Sequence, residues 1–199
     1  MARDITQEEI ASVDQMLARA KKAMDEIKDY DQDQVDRLAQ AIGWHCGNEK
    51  TFVRIAQMGV DESGIGDRAG RAGKRFKVLG VLRDALRGKS VGVIEDDPEK
   101  GLSKIAKPAG VIASLIPTTN PELTPPVTGI YAAKCRDAVI FSPHPRAKAT
   151  TNEMVNVMRV ACKLVGAPED LFQCVATPSI PMTNYLMQQV DLTLATGGK

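Results

Sequence analysis

Residues 110–121 read Gly110-Val111-Ile112-Ala113-Ser114-Leu115-Ile116-Pro117-Thr118-Thr119-Asn120-Pro121. The apolar, partly β-branched run predicts a buried strand, and the prolines and polar residues after it predict a loop. In open α/β sheets, ligands bind outside the carboxyl ends of the strands. We therefore expect Thr118, Thr119 and Asn120 to lie at a ligand-binding edge.

The second half of the sequence alternates between short apolar runs and helical patterns. Predicted strands are Val111–Ile116, Ala138–Phe141, Leu171–Val175 and Leu192–Ala195; predicted helices are Leu123–Lys134, Thr151–Val165 and Ile180–Gln189. The alternation is typical of βαβ units with right-handed crossovers. Because the strands are almost entirely apolar, we expect helices on both faces of a parallel, Rossmann-type α/β sheet.

The first half predicts helices followed by a hairpin. A capping box from Thr6 to Glu9 begins a helix that runs to about Lys28, and Asp31 or Asp33 begins the next. Asn48 caps a third helix, and a fourth covers Lys74–Leu86. Strands at Ser90–Ile94 and Leu102–Ala106 flank the charged turn 95–101. We expect residues 1–107 to pack on a cofactor domain formed by residues 108–199.

Composition removes several classes of partner and site. The 26 Lys and Arg balance 25 Asp and Glu, so no net charge favours nucleic acid or an anionic membrane as a partner. The sequence has no apolar run long enough for a membrane span and no secretory leader pattern. Four cysteines without a C-x-x-C pair predict reduced thiols in the cytoplasm. Two separate histidines predict no metal site.

Three further predicted strand ends carry polar groups. They are Ser142-Pro143-His144-Pro145-Arg146, Thr177-Pro178-Ser179 and Thr196-Gly197-Gly198. In a parallel sheet these segments and 117–120 share one edge, which favours a nucleotide cleft where Arg146 meets a phosphate. Two other interpretations stay open. The 118–120 side chains would then only satisfy turn groups, or His144 would be a surface loop histidine and Arg146 and Lys148 exposed charges at a helix start.

The two glycines after the last predicted strand indicate a strand-to-helix turn. A domain seldom stops there, because the last strand would lack its covering helix. We therefore expect the sequence to be the amino-terminal part of a longer protein. No strand is followed by G-x-G-x-x-G, so the usual dinucleotide fingerprint is absent.

Four segments identify a family when they are taken together. They are Ile116–Pro121, Ile140–Lys148, Gly166-Ala167-Pro168 and Leu194-Ala195-Thr196-Gly197-Gly198. In order and spacing they resemble the CoA-acylating aldehyde dehydrogenases, including the aldehyde half of bifunctional aldehyde–alcohol dehydrogenases. Glu62-Ser63-Gly64 also fits the family, and the resemblance covers nearly the whole chain.

The resemblance implies the aldehyde dehydrogenase fold, whose atypical Rossmann sheet binds NAD or NADP without the glycine fingerprint. Ser142 stands where hydrolytic relatives have a ribose-binding lysine, and the acylating branch departs from them there. The residues implied to bind the cofactor are Ile116, Pro117, Thr118, Thr119, Asn120, Ser142, Pro143, His144, Arg146, Thr177, Pro178, Thr196, Gly197 and Gly198.

The resemblance also implies a reaction. A cysteine thiolate attacks an aldehyde, hydride passes to the cofactor, and CoA then accepts the acyl group. Asn120 stands where the family keeps the asparagine that donates to the oxyanion, an interaction worth about 3 kcal/mol. None of the four cysteines stands in the nucleophile position. We therefore expect the nucleophile to lie after Lys199 and the isolated chain to be inactive.

Several questions stay open at this point. The stretch Pro121-Glu122-Leu123-Thr124-Pro125-Pro126 departs from the small residues expected of acetaldehyde enzymes, so sulfoacetaldehyde and acetaldehyde are both candidate substrates. NAD and NADP are not distinguished, and the full-length protein is expected to be a homodimer or a larger homo-oligomer. The alternative function is a non-catalytic nucleotide-binding or assembly module that is complete at 199 residues.

Overall fold

A computed structural model of the chain describes residues 3–196. Five helices precede a hairpin, and strands then alternate with helices. The helices are α1 Gln7–Glu26, α2 Gln32–Gly47, α3 Glu49–Ser63, α4 Arg68–Gly73, α5 Arg75–Ala85, α6 Thr124–Cys135, α7 Lys148–Leu164 and α8 Ile180–Gln189. The strands are β1 Val93–Asp97, β2 Leu102–Ile105, β3 Val111–Ile116, β4 Ala138–Pro143, β5 Phe172–Cys174 and β6 Leu192–Ala195.

The main sheet has the order β5-β4-β3-β6, and all of its strands are parallel. The α/β fold with a parallel sheet after a helical segment and a hairpin is therefore confirmed. β3 lies between β4 and β6, and Ile116 pairs in register with Pro143. This register brings the carboxyl ends of β3 and β4 side by side.

The core lies on both sides of the two central strands. Ala113, Ile140 and Phe141 are fully buried, as strands covered on both faces should be. Helix α2 packs on α6 and α7, while α1 contacts β4, β5 and α8. Within residues 3–196 no helix combines the length and the apolar character that a membrane crossing requires.

Two helices differ from the sequence prediction because polar side chains begin them. The sequence predicts no helix just before Lys74, but α4 forms at Arg68–Gly73 because Asp67 Oδ1 accepts from Gly70 N at 2.7 Å. Helix α7 begins at Lys148, three residues earlier than expected. Glu62 reaches across from α3, and its two oxygens accept from Ala149 N and Thr150 N, both at 2.8 Å.

The hairpin also differs from its prediction. β1 starts at Val93, later than expected, and continues through the acidic residues that were assigned to the turn. Cross-strand pairs explain the difference, since Lys104 Nζ lies 2.6 Å from Glu95 Oε2 and Ser103 Oγ donates to Asp96 Oδ1 at 2.6 Å. Opposite charges facing each other across two strands stabilise the pairing.

Two carboxylates position the beginning of β3. Gly110 N donates to Asp137 Oδ1 at 3.0 Å, and Val111 N donates to Asp191 Oδ2 at 2.8 Å. Gly110 has a φ of 120°, and a Cβ atom there would lie 2.2 Å from Asp191 Oδ2. Only glycine therefore allows Asp191, which precedes β6, to hold the start of β3.

Replacing Gly110 tests this account of the sheet. We expect Gly110→Ala to lower the free energy of unfolding by about 3 kcal/mol or more, because it adds backbone strain and displaces the Asp191 carboxylate. Gly166→Ala is the control. Gly166 has a φ of 77° but no atom within 4 Å of the added Cβ, so only about 1 kcal/mol of strain is expected. Equal losses in urea unfolding of the two variants would contradict the account.

Candidate functional site

A cleft of about 560 Å³ opens at the carboxyl ends of β3, β4 and β6. Its size is within the range of small-molecule sites. It is lined by Leu115, Ile116, Pro117, Thr118, Thr119, Ser142, Pro143, His144, Pro145, Pro178, Ser179, Ile180, Thr183, Asn184, Met187 and Thr196. Prolines and aliphatic residues form much of its wall, and hydroxyls are interspersed. The first turn of α8 also faces it, and Ser179 caps that turn by accepting from Met182 N at 3.2 Å.

Hydrogen bonds fix the β4 side of the cleft. His144 N donates to Ile116 O at 3.0 Å, which extends the contact between β3 and β4 past the last strand pair. His144 Nδ1 accepts from Arg146 N at 3.1 Å, so the neutral ring carries its proton on Nε2. The hydroxyls of Ser142 and Thr183 are 2.9 Å apart and tie β4 to α8.

The structure brings together most of the residues that the sequence assigned to the cofactor. Nine of them line the cleft: Ile116, Pro117, Thr118, Thr119, Ser142, Pro143, His144, Pro178 and Thr196. Arg146 is exposed on the short 3-10 helix Pro145–Ala147 and does not line it. Thr177 lines a different cleft, of about 580 Å³, between α1 and α7. Gly197 and Gly198 lie outside the described residues.

Asn120 lies beside the cleft rather than in its wall. Its backbone N donates to Pro117 O at 3.4 Å, and its backbone O accepts from Thr124 N at 3.0 Å, which starts α6. Its carboxamide oxygen accepts from Lys74 Nζ at 2.6 Å, and Nδ2 donates to Thr119 Oγ1 at 3.3 Å. The carboxamide thus bonds to side chains, whereas the backbone N and O of Asn120 bond to other backbone groups.

A buried ion pair supports the loop that carries Asn120. Arg71 Nη1 donates to Glu122 Oε2 at 2.8 Å, and the two side chains are 2% and 0% exposed. Arg71 Nη2 also donates to Thr118 O at 2.9 Å and Ser63 Oγ at 3.1 Å. Gly59 leaves room for the pair, because a Cβ atom there would lie 2.9 Å from Arg71 Nη1.

Burial influences the charges of this loop. It raises the pKa of Glu122, and the adjacent Arg71 guanidinium opposes that shift. It lowers the pKa of Lys74, and the nearby Glu122 carboxylate opposes that shift. Glu122 Oε1 is buried without a hydrogen-bond partner among residues 3–196. The ion pair therefore depends on one well-formed contact, and loss of either partner would leave a buried charge.

None of the four cysteines is placed as a nucleophile. Burial raises the thiol pKa of Cys46, Cys135, Cys162 and Cys174, for Cys162 to about 12. None of them lines the cleft at the strand ends. A reactive cysteine needs access and a lowered pKa, so these thiols have the properties of packing residues. In the part of the chain that the structure describes, no three His, Cys, Asp or Glu side chains form a metal-binding group.

Sequence reasoning missed Arg71, Lys74 and Glu62 as parts of the site. Each acts on a segment far away in the chain, at separations of 47 to 88 residues for Arg71 to Thr118 and Glu62 to Thr150. A local pattern carries no information about such contacts. One signal in the sequence was Arg71, which lies among closely spaced glycines that leave room for a large side chain to be buried. A buried arginine requires an acidic partner, so this arginine could have indicated an ion pair.

Comparison with known proteins gives relatives over nearly the whole chain, although no protein-family model matches it. A sulfoacetaldehyde dehydrogenase from an Acholeplasma species is 44% identical over 183 residues, which are 92% of this chain and 38% of that protein. An acylating sulfoacetaldehyde dehydrogenase from Bilophila wadsworthia is 41% identical over 94% of this chain and 40% of its own length. The chain spans about two fifths of the length of these curated relatives.

Solved structures agree with the sequence relatives. An acetylating aldehyde dehydrogenase from Geobacillus thermoglucosidasius superposes with a TM-score of 0.90 at 32% identity, over 97% of this chain and 42% of that chain. A propionaldehyde dehydrogenase from Rhodopseudomonas palustris, with bound CoA and an acylated cysteine, gives 0.76 at 26% identity over 93% and 42%. An engineered glycolyl-CoA reductase with bound NADP+ gives 0.75 at 26% identity, again over 93% and 42%.

The fold of the chain is the α/β fold of the corresponding part of these aldehyde dehydrogenase structures. Its relatives and structural neighbours include acylating and acetylating aldehyde dehydrogenases, one of them with bound CoA. Over nearly its whole length the chain is therefore similar to acylating aldehyde dehydrogenases, as the resemblance of its motifs implied.

Removing Glu122 tests the ion pair. We expect Glu122→Ala to lower the free energy of unfolding by about 3–5 kcal/mol, because Arg71 would stay buried without its partner. Asp61→Ala is the matched control, since it breaks the exposed Arg68–Asp61 pair and should cost no more than about 1 kcal/mol. Urea unfolding followed by circular dichroism measures both. A loss below about 1 kcal/mol for Glu122→Ala would show that the pair does not support the loop.

Proposed function

We propose that this chain is the cofactor-binding portion of an enzyme that oxidises a short-chain aldehyde to its acyl-CoA with NAD or NADP, reversibly and through a cysteine thioester. The observation that carries the proposal is the strand-end cleft with the Asn120 carboxamide fixed beside it. The relatives support the reaction class. In this proposal the nucleophilic cysteine belongs to a segment outside the 199 residues, and the isolated chain does not turn over.

The cleft fits a dinucleotide better than a purely apolar ligand. Pro117, Pro143 and Pro178 supply stiff apolar walls for a planar ring, while the hydroxyls of Thr118 and Ser142 face a ribose. We further propose that Arg146, exposed just outside the cleft, reaches an outer phosphate, and that Thr177, Gly197 and Gly198 complete the site in the full-length enzyme.

Asn120 has the role of the oxyanion donor in this proposal. Its carboxamide oxygen is occupied by Lys74, so the N–H groups of Nδ2 face away from the ammonium. When a thiolate adds to an aldehyde, the carbonyl oxygen becomes an oxyanion that a fixed N–H donor stabilises. A nicotinamide cofactor, when bound, would supply the hydride acceptor, and the thiol of CoA would take the acyl group and release the cysteine thiolate.

For the substrate we propose sulfoacetaldehyde, with acetaldehyde as the second candidate. Two of the most similar relatives are sulfoacetaldehyde dehydrogenases. The buried Glu122, two residues after Asn120, departs from the small residues expected of acetaldehyde enzymes. We also propose a homo-oligomer, because the hairpin exposes apolar Val93, Leu102 and Ile105 in a protein of otherwise ordinary polarity.

Replacing Asn120 in the full-length enzyme tests the oxyanion role. We expect Asn120→Ala to slow hydride transfer in a single turnover by about 10²- to 10³-fold, while cofactor affinity stays unchanged. Stopped-flow absorbance of the reduced cofactor measures the step. Asn156→Ala, at an exposed position on α7, is the control and should match the unsubstituted enzyme. Unchanged hydride transfer in Asn120→Ala would refute the role.

Filling the cleft tests the cofactor site. Met187 lines the cleft from α8, so we expect Met187→Trp to occupy its volume and weaken NAD or NADP binding at least about tenfold, a loss of about 1.4 kcal/mol. Gln189→Trp is the control, because Gln189 is exposed on the same helix and does not line the cleft. Calorimetric titrations with each cofactor separate NAD from NADP. Equal affinities for the two variants would place the cofactor elsewhere.

A further inference from the structure

We infer that Lys74 is a positioning residue that orients the Asn120 carboxamide so that one N–H of Nδ2 is directed toward the reacting aldehyde, while Nδ2 also donates to Thr119 Oγ1. The inference rests on the proposed oxyanion role of Asn120 and deepens it. It is carried by the geometry of one side chain, which bridges the junction of α4 and α5 to the loop after β3.

The chemistry of the two groups determines the orientation of the amide. An ammonium has three donors and no acceptor, so Lys74 Nζ, at 2.6 Å, can face only the oxygen of the carboxamide. The same Nζ donates to Thr119 O at 2.9 Å, which fixes its place along the loop. An asparagine without such a neighbour could turn its oxygen toward the substrate, where it would repel an oxyanion.

Lys74 is itself held firmly. Its backbone N donates to Arg71 O at 3.1 Å, and the next residue, Arg75, donates Nε to Gly47 O at 2.9 Å. Val78, one turn further along α5, is fully buried. The ammonium therefore extends from a fixed junction, and the loop accepts from it at two points.

The sequence of α5 departs from helix preference at this position. The helix begins with Lys74, Arg75 and Lys77, it has no acidic residue in its first turn, and Lys74 makes no side-chain cap. Helix N-termini favour negative charge, so cations there oppose the helix dipole. Proteins usually depart from local sequence preferences at functional or strained sites. Here the bonds from Lys74 to Thr119 and Asn120 explain why a cation stands at the start of the helix.

Single turnovers of the full-length enzyme test the inference. We expect Lys74→Met to slow hydride transfer between about tenfold and a hundredfold, while cofactor affinity changes less than twofold. Lys74→Arg keeps a cationic donor and should recover most of the rate. Lys77→Met, an exposed lysine on the same helix, is the control and should have no effect.

A double-mutant cycle separates positioning from general stability. If Lys74 acts through Asn120, Lys74→Met should cost nothing further in the Asn120→Ala background. The inference is overturned if Lys74→Met leaves hydride transfer unchanged, or slows it equally in both backgrounds. If Asn120→Ala alone does not slow hydride transfer, the proposed oxyanion role is wrong, and the inference about Lys74 is wrong with it. If Asn120→Ala slows hydride transfer but Lys74→Met does not, only the inference about Lys74 is wrong.

A second readout does not depend on turnover. In the 199-residue chain, the two Nδ2 protons of Asn120 should have NMR chemical shifts displaced from those of a freely exposed asparagine, because Lys74 and Thr119 hold the carboxamide in one orientation. In Lys74→Met or Lys74→Gln these signals should move toward those of a freely exposed asparagine, while the Nδ2 signals of Asn156 stay in place. Unmoved Asn120 signals in both variants would overturn the inference.

Discussion

The buried ion pair between Arg71 and Glu122 is the interaction on which the site depends. It joins the short helix α4 to the loop that precedes α6, and the same guanidinium donates a hydrogen bond to the backbone oxygen of Thr118. Because both charges are almost completely removed from water, neither can be lost alone without a large penalty. The pair therefore fixes the loop between β3 and α6 as a rigid element, although that loop contains no regular structure of its own.

Neighbouring residues of this rigid loop have two different roles, one toward the cofactor cleft and one toward the reacting aldehyde. Thr118 and Thr119 belong to the cleft shared with β4, β6 and α8, whereas the Asn120 carboxamide is held by Lys74. A cofactor and a developing oxyanion would thus meet adjacent residues of one loop, at the carboxyl end of the central strand. Proximity of this kind lets a fixed donor act where charge develops, without reorganisation during the reaction.

Much of the architecture could be predicted from local patterns, because each strand of the sheet is an apolar run. The strands are followed by loops rich in proline and hydroxyl residues. β3, β6 and α8 have the expected bounds. Local patterns could not predict three sets of contacts. These are the bonds from Glu62 to the start of α7, the cross-strand pairs of the hairpin, and the contacts of Arg71 and Lys74 with the loop after β3. Apart from the hairpin pairs, these contacts join segments 45 to 88 residues apart, and no local propensity encodes which partner a charged side chain meets. The family resemblance named Asn120, but only the structure places an ammonium against its oxygen.

The most direct measurement is a crystal structure of the full-length enzyme with cofactor and a stable thiohemiacetal analogue. The account predicts Asn120 Nδ2 within about 3 Å of the adduct oxygen, with Lys74 Nζ still on the amide oxygen and the dinucleotide in the strand-end cleft. An adduct oxygen that faces other donors, with Asn120 turned away from it, would contradict the account.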